Sequence, residues 1–270
     1  MSSALISYGK LEVPLQRIRG TELMGCRVSM EVLGQGFMPA YTSGDNSRVV
    51  ATDSMKNIIL GQGSACSGDS LDDLLEHVGR HFLSVYPEME GLRMWAREQP
   101  FVPVGRQLYS ETGGDHAVAE LELARQDDDV VVVGRRSGQV GLRLLKTTGS
   151  AFTRFIRDES TTLPERGDRP LYIHLDVHWR CESVRDRIEP AAVKRTILAV
   201  FDDFVSESIQ HLVHRMAEVL LDEFPAMAEV SFRSENHTYD PIVAQDPESE
   251  VKGYTSAFPA WGLITLTFTR

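Results

Sequence analysis

Between residues 151 and 169 the chain reads AFTRFIRDESTTLPERGDR, and two of its side chains suit one kind of ligand. The ring of Phe152 can stack on a planar group, and the guanidinium of Arg169, just ahead of a strand expected from Pro170, can grip oxygens through a rigid two-pronged fork. Together they describe a flat slot with a charged end. Lys10, in Tyr8-Gly9-Lys10 near the start of the first expected strand, is a second candidate. The default for such a lysine is a solvated strand position, but a buried ammonium loses its proton more readily and can serve as a base near neutral pH. Ser208-Ile209-Gln210 opens a helix; Ser208 suits a cap, and the Gln210 amide offers a heterocycle edge both a donor and an acceptor. Thr52 and Asp53 also read as helix caps, although backbone N–H groups at a helix start suit a carbonyl or anionic edge. Asn236-His237-Thr238 follows the strand EVSFR in an expected polar loop, where turn chemistry is the default.

Metal and nucleotide chemistry are weaker readings. His77 and His81 lie four apart on a helix without the acidic residue of a zinc-protease motif, His174 and His178 alternate on a strand with Asp176, and His211 and His214 share a helix face. None of these pairs has a marked third ligand, so no metal is expected. Gly34-Gln35-Gly36 and Gly61-Gln62-Gly63 look like fragments of phosphate loops. Neither continues to a third glycine or to Gly-Lys-Ser/Thr, so no nucleotide cofactor is expected either.

The elements that must position these residues belong to a chain of 270 residues, enough for one large domain or two ordinary ones. Three cysteines at wide spacing, Cys26, Cys66 and Cys181, suggest neither a disulfide framework nor a zinc cage. A net charge of -11 opposes general nucleic-acid binding, yet a local pair such as Lys10 and Arg169 can hold a small anion. No apolar run reaches bilayer length and the first residues carry no leader signature, so a cytoplasmic protein without a membrane partner is expected.

Periodicity predicts strands over 5–18 and 26–37 with a turn at Arg19-Gly20, a helix around MKNIIL, and a stronger helix over 69–85 with Leu71, Leu74, Leu75, Val78 and Phe82 on one face. Strands follow over 93–110 and 117–124. The second half repeats the order: strands over 130–147 and 171–181, a helical stretch over 190–224 broken near Val205-Ser206, and strands over 229–233 and 263–270. The expected fold class is α+β, with antiparallel sheets carrying helices on one face in tandem domains over 1–127 and 128–270 joined at a short acidic break. The GDNS and PESE stretches read as mobile loops.

Five blocks, YGK at Tyr8, VVATDSMKN at Val49, the 151–169 stretch, SIQHLVHRMAEVLLDEFP at Ser208 and EVSFRSENHTY at Glu229, closely resemble the urate oxidase (uricase) family in the same order, as does the ending GLITLTFTR. The resemblance implies the tunnelling fold (T-fold): two repeats per subunit, barrels closed by subunit association, a homotetramer, and active sites between subunits. It implies Phe152 stacked under a purine, Arg169 and Gln210 gripping its two ends, and a contact from the N–H of Ile209, where the family commonly has valine. Thr52 and Asp53 would reach in from a neighbouring subunit, Asn236 would hold dioxygen or its replacement water, and Lys10 and Thr52 would form a proton relay. The family completes that relay with a histidine two places after the asparagine, where this chain has Thr238. His237 stands one position early, and on a strand a shift of one turns a side chain to the opposite face unless a bulge restores it. The implied activity is cofactor-independent oxidation of urate by O2 to 5-hydroxyisourate and peroxide. The alternatives are a related heterocycle as substrate, or a purine-binding protein that kept the slot and lost the relay. The pterin and cyclohydrolase branch of the same fold would need a zinc site or an acidic anchor, and neither is assigned.

Overall fold

The computed structural model describes residues 5–127, 129–242, 250–257 and 259–270. Asp128 of the acidic break and all of PESE but Glu250 lie outside them. The chain divides into two compact units, Met1–Gly138 with Ser183–Arg185, and Gln139–Glu182 with Asp186–Arg270. The division falls inside one strand of 18 residues, Asp129–Lys146, rather than at the acidic break ahead of it.

The first unit contains β1 (Ser7–Arg19), β2 (Glu22–Leu33), α1 (Met38–Thr42), α2 (Thr52–Ala65), α3 (Leu71–Val85), β3 (Gly91–Gln99), β4 (Phe101–Pro103), β5 (Tyr109–Glu111), β6 (His116–Gln126) and the first part of β7 (Asp129–Lys146). β1, β2, β3 and β6 pair antiparallel in that order. The single strand expected over 93–110 is interrupted at Pro100, which has no N–H for a ladder; β4 and β5 pair with each other instead. Ser70 caps α3 by accepting from the Asp73 N–H, and Leu74, Leu75, Val78 and Phe82 are fully buried with Val28, Met30, Leu92 and Met94. Each such side chain contributes about 1.5–3 kcal/mol through burial.

The second unit contains the rest of β7, then β8 (Leu171–Cys181), α4 (Pro190–Asp203), α5 (Ile209–Glu223), β9 (Met227–His237) and β10 (Gly262–Thr269). Along β8, Leu171, Ile173, Leu175, Val177 and Trp179 are buried with Ile197, Leu212 and Met216 of the helices. The two-residue period of a strand therefore sends Tyr172, His174 and Asp176 to the other face. The helical break comes where expected, α4 ending at Asp203 and α5 starting after Ser208. β9 departs from expectation: it runs past Arg233 to His237, so Asn236 and His237 are strand residues and not loop residues. Asn236 pairs with Ile173 on one side and Gly262 on the other, and this two-sided ladder holds a polar segment extended.

No helix among the described residues is long and apolar enough to cross a membrane.

Candidate functional site

In the second unit the 150–169 segment is tied down by backbone bonds. The Ala151 N–H donates to the Ser206 carbonyl at 2.7 Å, Phe152 and Arg166 exchange two bonds at 2.8 and 3.0 Å, and the Arg169 N–H donates to the Ser150 carbonyl at 2.9 Å. Ser206 lies just ahead of Ser208, the cap of α5, so one network carries Phe152, Arg169 and the start of that helix. Asp168 reinforces it, accepting from Thr148 Oγ1 at 2.5 Å and from the Gly149 and Ser150 N–H groups at 2.7 and 3.2 Å. Desolvation works to raise the Asp168 pKa, but those donors, Thr148 foremost, outweigh it and hold the carboxyl below its usual range.

The Arg169 guanidinium lies 5.9 Å from the centroid of the Phe152 ring, and Phe155 stacks on that ring at 5.0 Å with an interplanar angle of 10°. Burial, with Arg166 adding like charge, depresses the Arg169 pKa; a guanidinium nevertheless stays charged. Arg169 Nε and Asn236 Oδ1 are both buried with no hydrogen-bond partner among the described residues. Ser150 Oγ and Ser234 Oγ share that condition, and leaving such a group unmatched costs about 1–3 kcal/mol; of the four residues only Arg169 lines the cleft beside Phe152.

A cleft of about 70 Å³ is lined by Phe152, Arg166, Arg169, Thr238, Tyr239 and Tyr254 among others. Thr238 lines it and His237 does not. The β8–β9 register is unbroken at Ile173↔Asn236 and Tyr172↔His237, its one irregularity lying at Arg180/Cys181, so no bulge returns His237 to the side of Asn236. The His237 ring instead packs on His174, 3.9 Å between centroids. Ile209 is 3% exposed with its side chain in the core, which leaves its backbone N–H as what it can offer; Gln210 is exposed on the first turn of α5. Arg166, Tyr239 and Tyr254 were not foreseen. Arg166 stands in the same short stretch as Arg169, whereas no local signal could have brought in Tyr254.

Lys10, Thr52 and Asp53 belong to the first unit. Tyr8 Oη accepts from the Val50 N–H at 2.8 Å, joining the segments that carry Lys10 and Thr52. A Cβ on Gly9 would stand 2.1 Å from the Met30 carbonyl oxygen, so only glycine lets β1 lie this close to β2 beside Lys10. Directly after Lys10 the register shifts before Val13, and Glu12 takes a φ of 57°, a bulge that re-aims this end of the strand. Thr52 and Asp53 are not caps. The N-cap of α2 is Ala51, without a side-chain bond, and both residues lie exposed in the first turn. Asp53 takes Lys56 Nζ at 2.5 Å; that bond is the main reason its pKa is depressed, and the charge of Lys10 adds to it. The Gly34-Gln35-Gly36 fragment is no free phosphate loop, since Glu90 Oε1 accepts from the Gln35 and Gly36 N–H groups at 2.8 and 3.0 Å.

Antiparallel sheets with helices, and a cleft that sets a buried guanidinium beside an aromatic ring, define the class: an α+β protein with a cationic aromatic slot. A sequence model of the family described as Uricase matches residues 135–258. The chain is 34% identical to a uricase of Haloferax volcanii, over 87% of this chain and 88% of that protein. It belongs to the uricase family. It is also 36% identical to the uric acid degradation bifunctional protein of Bacillus sp. TB-90, over 92% of this chain and 53% of that protein, so it spans about half the length of this relative. The crystal structure of Bacillus sp. TB-90 urate oxidase superposes with a TM-score of 0.91 at 32% identity, covering 98% of this chain and all of that one.

Proposed function

We propose that this chain is a cofactor-independent urate oxidase that converts urate, O2 and water to 5-hydroxyisourate and hydrogen peroxide. The observation that carries the reading is the cleft lined by Phe152 and Arg169, where the buried Arg169 Nε has no hydrogen-bond partner among the described residues. Membership in the uricase family and the uric acid degradation named for its relative support it. Phe152 stacks under the anionic purine, Arg169 and Gln210 take its polar edges, and the Ile209 N–H adds a backbone contact. Lys10 and Thr52 draw a further proton from the substrate, and Asn236 holds dioxygen above the ring. The electron-rich dianion passes an electron to O2, the radical pair recombines at a ring carbon, and water displaces peroxide. Urate supplies the reducing electrons itself.

In this reading the chain is two T-fold repeats in a homotetramer, and Thr52 and Asp53 come from a neighbouring subunit. A cleft of about 70 Å³ in one chain is well below the roughly 300 Å³ at which small-molecule pockets begin, which favours completion by a second copy. Thr238 at the relay position favours one alternative, a related oxygenated heterocycle as the true substrate. Oxygen uptake by the purified protein in aerated urate decides: turnover with peroxide release supports the proposal, and tight urate binding without turnover overturns it.

A further inference from the structure

On the face of β8 and β9 that the cleft does not use, we propose that His174, Glu235 and His237 form a site for a divalent metal ion of the zinc type. His174 lies directly opposite Glu235 in the ladder, and His237 follows on the same face next to Tyr172. The three ligand atoms lie within 4.8 Å of one another. Glu235 Oε2 is 3.5 Å from His174 Nδ1 and 3.3 Å from His237 Nε2. The carboxylate is within hydrogen-bond reach of the His237 ring, though both separations are longer than the roughly 2.7–2.9 Å of a strong charge-assisted bond. They fit a tetrahedral zinc, whose bonds of about 2.0–2.2 Å hold its ligand atoms about 3.3–3.6 Å apart.

The surroundings are those of a held ligand set. His174 Nε2 meets Tyr172 Oη at 3.1 Å, which leaves Nδ1 as the coordinating nitrogen. Arg233 Nη1 takes the other carboxylate oxygen, Glu235 Oε1, at 2.5 Å, so Oε2 stays turned toward both imidazoles. The Trp261 ring stacks on His237 at 5.6 Å and 27°. Three protein ligands leave a fourth position to fill, and His174 and Glu235 also line a depression of about 150 Å³ with Gly141, Arg143, Asp176 and Arg233. Asp176 already accepts from the Gly141 N–H at 2.8 Å, so water or a small anion facing Arg143 completes the shell.

The test uses the full chain, stripped with a chelator and titrated calorimetrically with zinc alone. Expected are one zinc per chain, a rise in melting temperature with zinc, and tetrahedral absorption bands when cobalt(II) replaces it. His174→Asn and Glu235→Gln each lose the stoichiometric event or weaken it more than ten-fold, and Tyr172→Phe weakens it about ten-fold. The proposal is overturned if the unmodified chain takes up no zinc at tens of micromolar, or if the two ligand variants bind as the parent does.

Discussion

The Asn236 side-chain amide donates to Thr238 Oγ1 across 3.4 Å, so these two residues meet at the end of β9 while the imidazole between them in sequence turns to the opposite face. Under the proposed relay, the hydroxyl of Thr238 would take the place of the proton carrier. His237, one residue nearer to Asn236, is out of place for that task.

Replacing Thr238 with histidine is expected to raise kcat for urate by about a hundred-fold or more, since a positioned general acid-base group typically contributes about a hundred- to ten-thousand-fold. Steady-state oxygen uptake measures it. A variant that binds urate and turns over no faster than the parent refutes the idea that this position limits the relay.

Arg169→Lys keeps the charge and loses the fork. Hydrogen bonds to charged groups contribute about 1.5–3 kcal/mol each, so kcat/KM for urate should drop by roughly 10- to 150-fold, carried mainly by KM. A melting temperature near that of the parent would show that the loss belongs to recognition.

Gly9→Ala sets a methyl against the Met30 carbonyl oxygen at 2.1 Å, a contact neither backbone can absorb in place. Overpacking of this kind costs about 1–3 kcal/mol. Displacement of β1 also moves Lys10, so denaturant unfolding should show the destabilisation and kcat should fall with it. Unchanged stability would mean that β1 relaxes freely.

Asp168 has a pKa depressed below its unfolded value near 3.9, so its stabilisation is complete above about pH 4 and is lost as pH falls through the depressed folded value. The residue is exposed, and solvent screening keeps the contribution to about 1 kcal/mol or less. In melting temperatures across pH, Asp168→Ala should lie below the parent at pH 7 and converge with it below pH 4. A gap that stays constant through the acid range would assign the effect to lost packing.

The local alternations were legible in the sequence, because each depends only on which side of one element a residue occupies. The apolar positions of β8 and α3 identified their buried faces, the polar break near Ser206 separated α4 from α5, and Ser208 was recognisable as a cap. The Phe152 and Arg169 pair was also visible, since a single tied-down segment carries both.

Tertiary structure decided what depends on partners distant in the chain. Asn236 reads as a loop residue until Ile173 and Gly262 pair with it from both sides. His174 has no third ligand within reach along the sequence, yet the β8–β9 register sets Glu235 and His237 beside it. Thr52 and Asp53 have the chemistry of caps, but the chain enters α2 one residue early, at Ala51. The physical reason is the same in each case: a side chain's identity and period report which face of its own element it occupies, while ladder register and cross-strand neighbours arise only when segments far apart in sequence pack against one another.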